Sequence, residues 1–219
     1  QGVGQAMLDW LHVQARSLGL GSIVLHAQLP ALWLYLRAGY LPAGPVFEEA
    51  GLAHRPLQLR LDGTMAVRDA LGAQAALASV ICGSGRQLCL ALPLLDPGLL
   101  DTPPVLDALR TLASRRQPMQ IQILVDDELA ISRRGGPALA LIQRLPSRFS
   151  VRRRDLDNST AADAVAVNDR GHAFQRPDAS LPAGIAGLPW RPFAQTCRER
   201  FQSQWELSLD CAQLRPIRL

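Results

Sequence analysis

The chain has 219 residues, 48% hydrophobic and 19% charged, enough apolar material for the core of one or two globular domains. No run approaches eighteen consecutive apolar residues and no basic segment with a cleavage site opens the chain, so neither a membrane-spanning helix nor a signal peptide is expected, and the chain reads as cytoplasmic. The net charge of +4 comes entirely from arginine, since lysine is absent; with abundant Ala, Leu, Pro and Gly, this bias reads as a GC-rich bacterial genome rather than a nucleic-acid binder.

Met7, Leu8, Leu11 and Ala15 repeat as one face of an amphipathic helix running to about Leu18, ended by Gly19 and Gly21. Ser22 to Gln28 holds an apolar run between turn signals and predicts a buried strand. Pro30 to Ala38 predicts a short helix with proline at its start and Gly39 after its end. Tyr40 to Phe47 and His54 to Leu61 are predicted strands, with a loop at Glu48 to Ala53. Asp62-Gly63-Thr64 marks a boundary, dividing the chain into residues 1–62 and 63–219.

Beyond it the pattern restarts with helices over Val67 to Val80, Pro104 to Arg115 and Pro137 to Leu145. Strands are predicted over Leu88 to Leu95, Gln120 to Val125 and Phe149 to Leu156. Ala164 to Val167 and Gly171 to Gln175 form a hairpin around Asn168-Asp169-Arg170. Pro192 to Leu207 closes the chain as a helix striped by Phe193, Cys197, Phe201 and Trp205. The fold class is α/β (α+β), and the βαβαβ order implies a mixed, partly parallel sheet covered by helices.

Cys82, Cys89, Cys197 and Cys211 show no metal-ligand spacing and read as reduced, buried thiols, so no metal is expected. Asp126-Asp127-Glu128 after a strand could hold a cation or simply cap a helix. The run Arg152-Arg153-Arg154 leaves nucleic-acid binding as a third possibility.

Gly2 and Gly4 open the first helix, where unshielded amides meet the positive end of the helix dipole; the pair suits a pyrophosphate or a simple tight turn. The opening Gln1-Gly2-Val3-Gly4 resembles the pyrophosphate loop of the Gcn5-related N-acetyltransferases. Two further blocks extend that resemblance over residues 1–61: Ala31-Leu32-Trp33-Leu34-Tyr35-Leu36-Arg37-Ala38-Gly39-Tyr40, and Phe47-Glu48-Glu49-Ala50-Gly51-Leu52-Ala53-His54. The resemblance implies the C-terminal half of that fold, with acetyl-CoA as cosubstrate held by the amides of Val3, Gly4, Gln5 and Ala6 beside Gly2. Tyr35 matches the tyrosine that protonates the departing thiolate, or packs as a core aromatic. His54 contacts the acceptor or acts as base, or packs in a loop.

The strands that precede the pyrophosphate loop in that family lie outside these residues, so the chain is expected to be inactive by itself. The partners expected are a small-molecule or peptide amine, with neither nucleic acid nor membrane, and a homodimer is possible.

The second unit and its terminal stripe resemble the phospholipase D-like fold. Setting Asp169 at the aspartate of the His-x-Lys-x4-Asp motif puts Ala162 and Ala164 where the histidine and lysine belong, so the unit is expected to be catalytically silent. The reading is therefore an acetyl-CoA-dependent N-acyltransferase with a silent partner domain. Its alternative is a non-enzymatic binding or regulatory protein with a degenerate acyl-CoA-binding domain.

Overall fold

The computed structural model describes residues 3–155, 163–211 and 214. The chain begins with α1 (Val3–Ser17), β1 (Ser22–Gln28), a single 3-10 turn at Leu29–Ala31 and α2 (Leu32–Arg37). Three further strands follow, β2 (Leu41–Pro42), β3 (Phe47–Glu49) and β4 (Leu52–Arg60). They form an antiparallel sheet of order β1-β4-β2, with β3 also pairing β4. The long β1–β4 ladder runs from Ser22 opposite Arg60 to Gln28 opposite His54, and alternation turns Leu57 and Leu59 into the core.

Two expectations are corrected here. The segment Glu48 to Ala53 is a tight hairpin rather than a loop: Ala50 (φ 52°) and Gly51 (φ 74°) both take the left-handed conformation that two-residue hairpin turns require. Of Tyr40 to Phe47 only Leu41–Pro42 and the final Phe47 join the sheet, because Pro42 and Pro45 donate no ladder hydrogen bond.

The second sheet starts with β5 (Met65–Val67), followed by α3 (Ala70–Cys82), β6 (Gln87–Ala91), α4 (Pro97–Leu100), α5 (Pro103–Ala113) and β7 (Gln120–Val125). Next come α6 (Glu128–Arg134), α7 (Pro137–Arg144), β8 (Phe149–Arg153), β9 (Ala164–Asn168) and β10 (Ala173–Arg176). The last elements are β11 (Gly184–Gly187), α8 (Arg191–Glu206) and β12 (Leu209–Asp210). The strand order is β12-β8-β7-β6-β9-β10-β11-β5. β6, β7 and β8 are parallel and the other pairs antiparallel, so the sheet is mixed, open and partly parallel, as the sequence implies.

Val67, expected to start a helix, instead ends β5 opposite Gly184. The Asp69 carboxylate accepts the Gly72 amide at 2.7 Å, and that cap fixes the start of α3. The predicted strand Leu88 to Leu95 stops at Ala91, ahead of Pro93 and the left-handed pair Leu95 (φ 55°) and Asp96 (φ 36°).

α3 is apolar almost all round, the signature of a helix enclosed by other elements. It lies against the second sheet, α5 and α2, so Leu36 and Leu57 of the first sheet layer share one core with Leu77, Ile81 and Leu90. On the opposite face, Ala194, Cys197 and Phe201 of α8 close a smaller cluster with Cys89, Leu124 and Val167. Covered on both faces, β6 is apolar from Leu88 onward and β7 from Ile123, while the buried Gln122 accepts from the Gln87 side-chain amide at 3.0 Å. Among the described residues no helix is long and apolar enough to cross a membrane.

Candidate functional site

The first turn of α1 leaves the amides of Val3, Gly4 and Gln5 without helical acceptors, while Ala6 stands where the intrahelical bonds begin. Gly2 lies outside the described residues. Gly4 is exposed, and a Cβ there would stand 3.4 Å from Leu34 Cδ2, so the mouth of α1 rests against α2. Tyr35, the next residue of α2, is partly buried, its ring edge-on to Tyr40 at 5.9 Å. Burial, with Tyr35 adding to it, pushes the Tyr40 phenol up to about 12, and its hydroxyl lies 3.1 Å from His12 Nε2. His54 belongs to a different cluster: it stacks on Phe47 at 5.9 Å, with Nδ1 2.9 Å from the Leu52 carbonyl oxygen.

A cleft of about 530 Å³ lies between α1, the ends of α2 and α3 and the β9–β10 turn, and nothing in the sequence pattern announces it. Arg16 in the last turn of α1, Arg37 ending α2 and Arg170 in the β9–β10 turn rim it, with His12, His172 and Asp9 also in its lining. Burial lowers the His12 pKa, and the Arg16 charge lowers it further. Burial holds His172 down at about 4; the backbone at Ser79 opposes that shift, and Arg16 and Arg170 reinforce it. Asp169 sets the position of the Arg170 turn by accepting the Gly85 and Arg86 amides, each at 2.8 Å.

The acidic run after β7 is used internally. Asp127 caps α6 through the Ala130 amide at 2.9 Å, while Asp126 takes the Arg154 guanidinium at 2.5 Å. Arg154 is buried and also lies 3.6 Å from Asp163, which Arg200 approaches at 3.2 Å. Arg152 sits 5.0 Å over the Trp205 ring, and Arg153 is 4.0 Å from Glu128. The arginine run therefore meets its charges within the fold. A second buried pair joins Asp96 to Arg176.

Ala164 opens β9 and Ala162 lies outside the described residues. His172 stands in the β9–β10 hairpin with its ring packed on Gly83. All four cysteines are unpaired thiols, and burial pushes Cys89 up to about 12 and Cys197 to about 11, away from nucleophilic use.

Residues 69–217, from the cap of α3 through β12, match the family described as Domain of unknown function (DUF7931). The chain belongs to the DUF7931 family. The match leaves residues 1–68 outside it. No curated protein matches the chain.

Among solved structures, the DUF7931 chain resembles TrmBL2, an archaeal chromatin protein with a novel mode of DNA binding. The TM-score is 0.50 at 12% identity, over 69% of this chain and 55% of that one. The DUF7931 chain thus spans about half the length of that relative. It also resembles Nuc from Salmonella typhimurium, a phospholipase D family member, with TM-score 0.44 and 14% identity over 68% of this chain and 97% of that one. The expectation that nucleic acid is not a partner is corrected by the first of these likenesses, to a protein that binds DNA. Composition says nothing of where the arginines stand in the fold, which gathers Arg16, Arg37 and Arg170 at one cleft.

Proposed function

We propose that the chain is part of an acetyl-CoA-dependent N-acyltransferase, its first sheet layer carrying the cofactor site and its DUF7931 unit a phospholipase D-like body without catalytic groups. The observation that supports this most is the seating of Leu34 against Gly4, which brings the open amides of α1 beside the helix that carries Tyr35. In this reading the pyrophosphate lies on the amides of Val3 to Ala6. The acceptor nitrogen attacks the thioester carbonyl, the C–S bond breaks, and the departing thiolate takes the Tyr35 phenolic proton while the amine proton leaves to a base. Unpaired thiols accord with a cytoplasmic setting.

Titration calorimetry with acetyl-CoA tests the reading. Gly4→Asp sets a carboxylate in the place of the pyrophosphate and should weaken binding at least about tenfold. Equal affinity in both proteins would remove the reading.

A second reading, binding of nucleic acid through its phosphates, is favoured by the fold likeness to a DNA-binding chromatin protein. It predicts affinity for duplex DNA that falls linearly with log salt concentration. Salt-independent binding, or none, would exclude it.

A further inference from the structure

Arg16, Arg37 and Arg170 come from three different elements and converge on one cleft of about 530 Å³. Among the described residues none of the three has a carboxylate within ion-pair distance, whereas Arg55, Arg60, Arg110, Arg152, Arg153, Arg154, Arg176 and Arg200 all do. Asp9, the one acid in the lining, accepts from Gln5 at 2.9 Å. Arginines closing helices commonly serve the helix dipole, and Arg16 and Arg37 stand at such positions. Arg170 does not: it lies at a hairpin turn that Asp169 ties down through two backbone amides, so its place at the cleft is fixed independently.

The second observation comes from the cleft wall. His12 and His172 present imidazoles there, and Arg16 acts electrostatically on both, which ties the arginine of one sheet layer to the histidine of the other. Burial disfavours the charged form of both rings, so they add little repulsion among the guanidiniums; His12 Nε2 is engaged with the Tyr40 hydroxyl at 3.1 Å and the His172 ring with the Ser79 backbone. Three forked donors, neutral imidazoles and a single acid suit a compact dianion with several oxygens better than a planar carboxylate.

We propose that this cleft is a phosphoryl-binding site, holding a phosphomonoester or pyrophosphate between the two sheet layers. The site shares Gln5 with the first turn of α1 but takes its charge from Arg16, Arg37 and Arg170, which play no part in the acyl transfer described above. Bound there, the anion bridges α1 and α2 to the β9–β10 turn and couples occupancy to the packing of one layer on the other.

The test is titration calorimetry of the full chain with inorganic pyrophosphate. The expected result is saturable binding weakened about tenfold or more by Arg37→Gln and by Arg170→Gln, one on each side of the cleft, and unchanged by Arg144→Gln, an exposed residue ending α7 away from the cleft. All three side chains are exposed, so the variants should fold, and thermal unfolding checks that they do. Absence of pyrophosphate binding, or equal affinity in the two cleft variants and the control, overturns the proposal. Two competition arms identify the source of the phosphoryl group. Displacement of pyrophosphate by CoA, lost in the arginine variants, assigns a nucleotide-like ligand, and displacement by duplex DNA lacking terminal phosphates assigns a nucleic-acid backbone. The acyltransferase reading is tested separately by Gly4→Asp and acetyl-CoA, so loss of the arginine effect here is distinguishable from failure of that reading.

Discussion

The two sheet layers differ in how completely they are covered. The second sheet is packed on one face by α3 and its neighbours and on the other by α8, and even its charges are paired inside, as Arg154 is with Asp126 and Asp163. The first sheet leaves β1 with one strand neighbour among the described residues, and α1 turns Val3, Met7, Trp10 and Val13 outward at 60% exposure or more. Most of the exposed large apolar residues fall in residues 3–52. The contrast teaches that stability and ligand chemistry are divided: the second layer supplies the closed scaffold, while the first supplies open amides and two of the three cleft arginines.

Arg154→Leu tests the closed layer most severely. It takes the guanidinium from Asp126, leaves Asp163 with Arg200 alone, and should cost roughly 3–5 kcal/mol in denaturant unfolding. A loss below about 1 kcal/mol would mean that solvent reaches the pair.

Leu36→Ala acts where the layers meet. Leu36 is fully buried in the shared core, so truncation should cost about 2–5 kcal/mol while leaving a single cooperative transition. Two separate transitions would show that the layers unfold independently.

Proton linkage at His172 sharpens the picture of the interface. Its folded pKa of about 4 lies below the ordinary imidazole value of 6.5, so the unfolded chain takes up the proton first. The stability this group contributes is whole above about 6.5 and is lost as pH falls towards 4, by about 2 kcal/mol at pH 5. His172→Asn should flatten that part of a stability profile; an unchanged slope would assign the acid sensitivity to other groups.

The smallest effect is expected on the open face of α1. Trp10→Gln should shift stability by less than about 0.5 kcal/mol, since Trp10 is 62% exposed. A larger loss would mean that the face is covered in solution.

The sequence was most legible where one element carries its own signal. Ser22–Gln28 and Gln120–Val125 are strands where their apolar residues imply, but Ser22–Gln28 is not the buried strand expected: it stands at a sheet edge, with Ala27 buried and Val24 61% exposed. The short strands β5 and β11 were not legible, because their pairing depends on close approach. A Cβ on Gly184 would come within 2.3 Å of the Gln175 carbonyl oxygen, and on Gly187 within 2.8 Å of Trp190 Cβ. α4 and α6 are too brief to show a helical period. The resemblance implies that Gly4 and Tyr35 serve one site; their helices touch through Leu34, whereas Tyr35 and His54 lie in separate ring clusters. The cleft was hidden for a different reason: its arginines lie far apart in the chain, and the charge count cannot say which of 23 basic residues are paired.

Hydrogen exchange of the full chain with and without saturating acetyl-CoA tests the division most directly. The account predicts slowed exchange at the amides of Val3 to Ala6 and in α2, with β6, β7 and β8 unchanged. No protection at the start of α1, or protection confined to the second sheet, would contradict it.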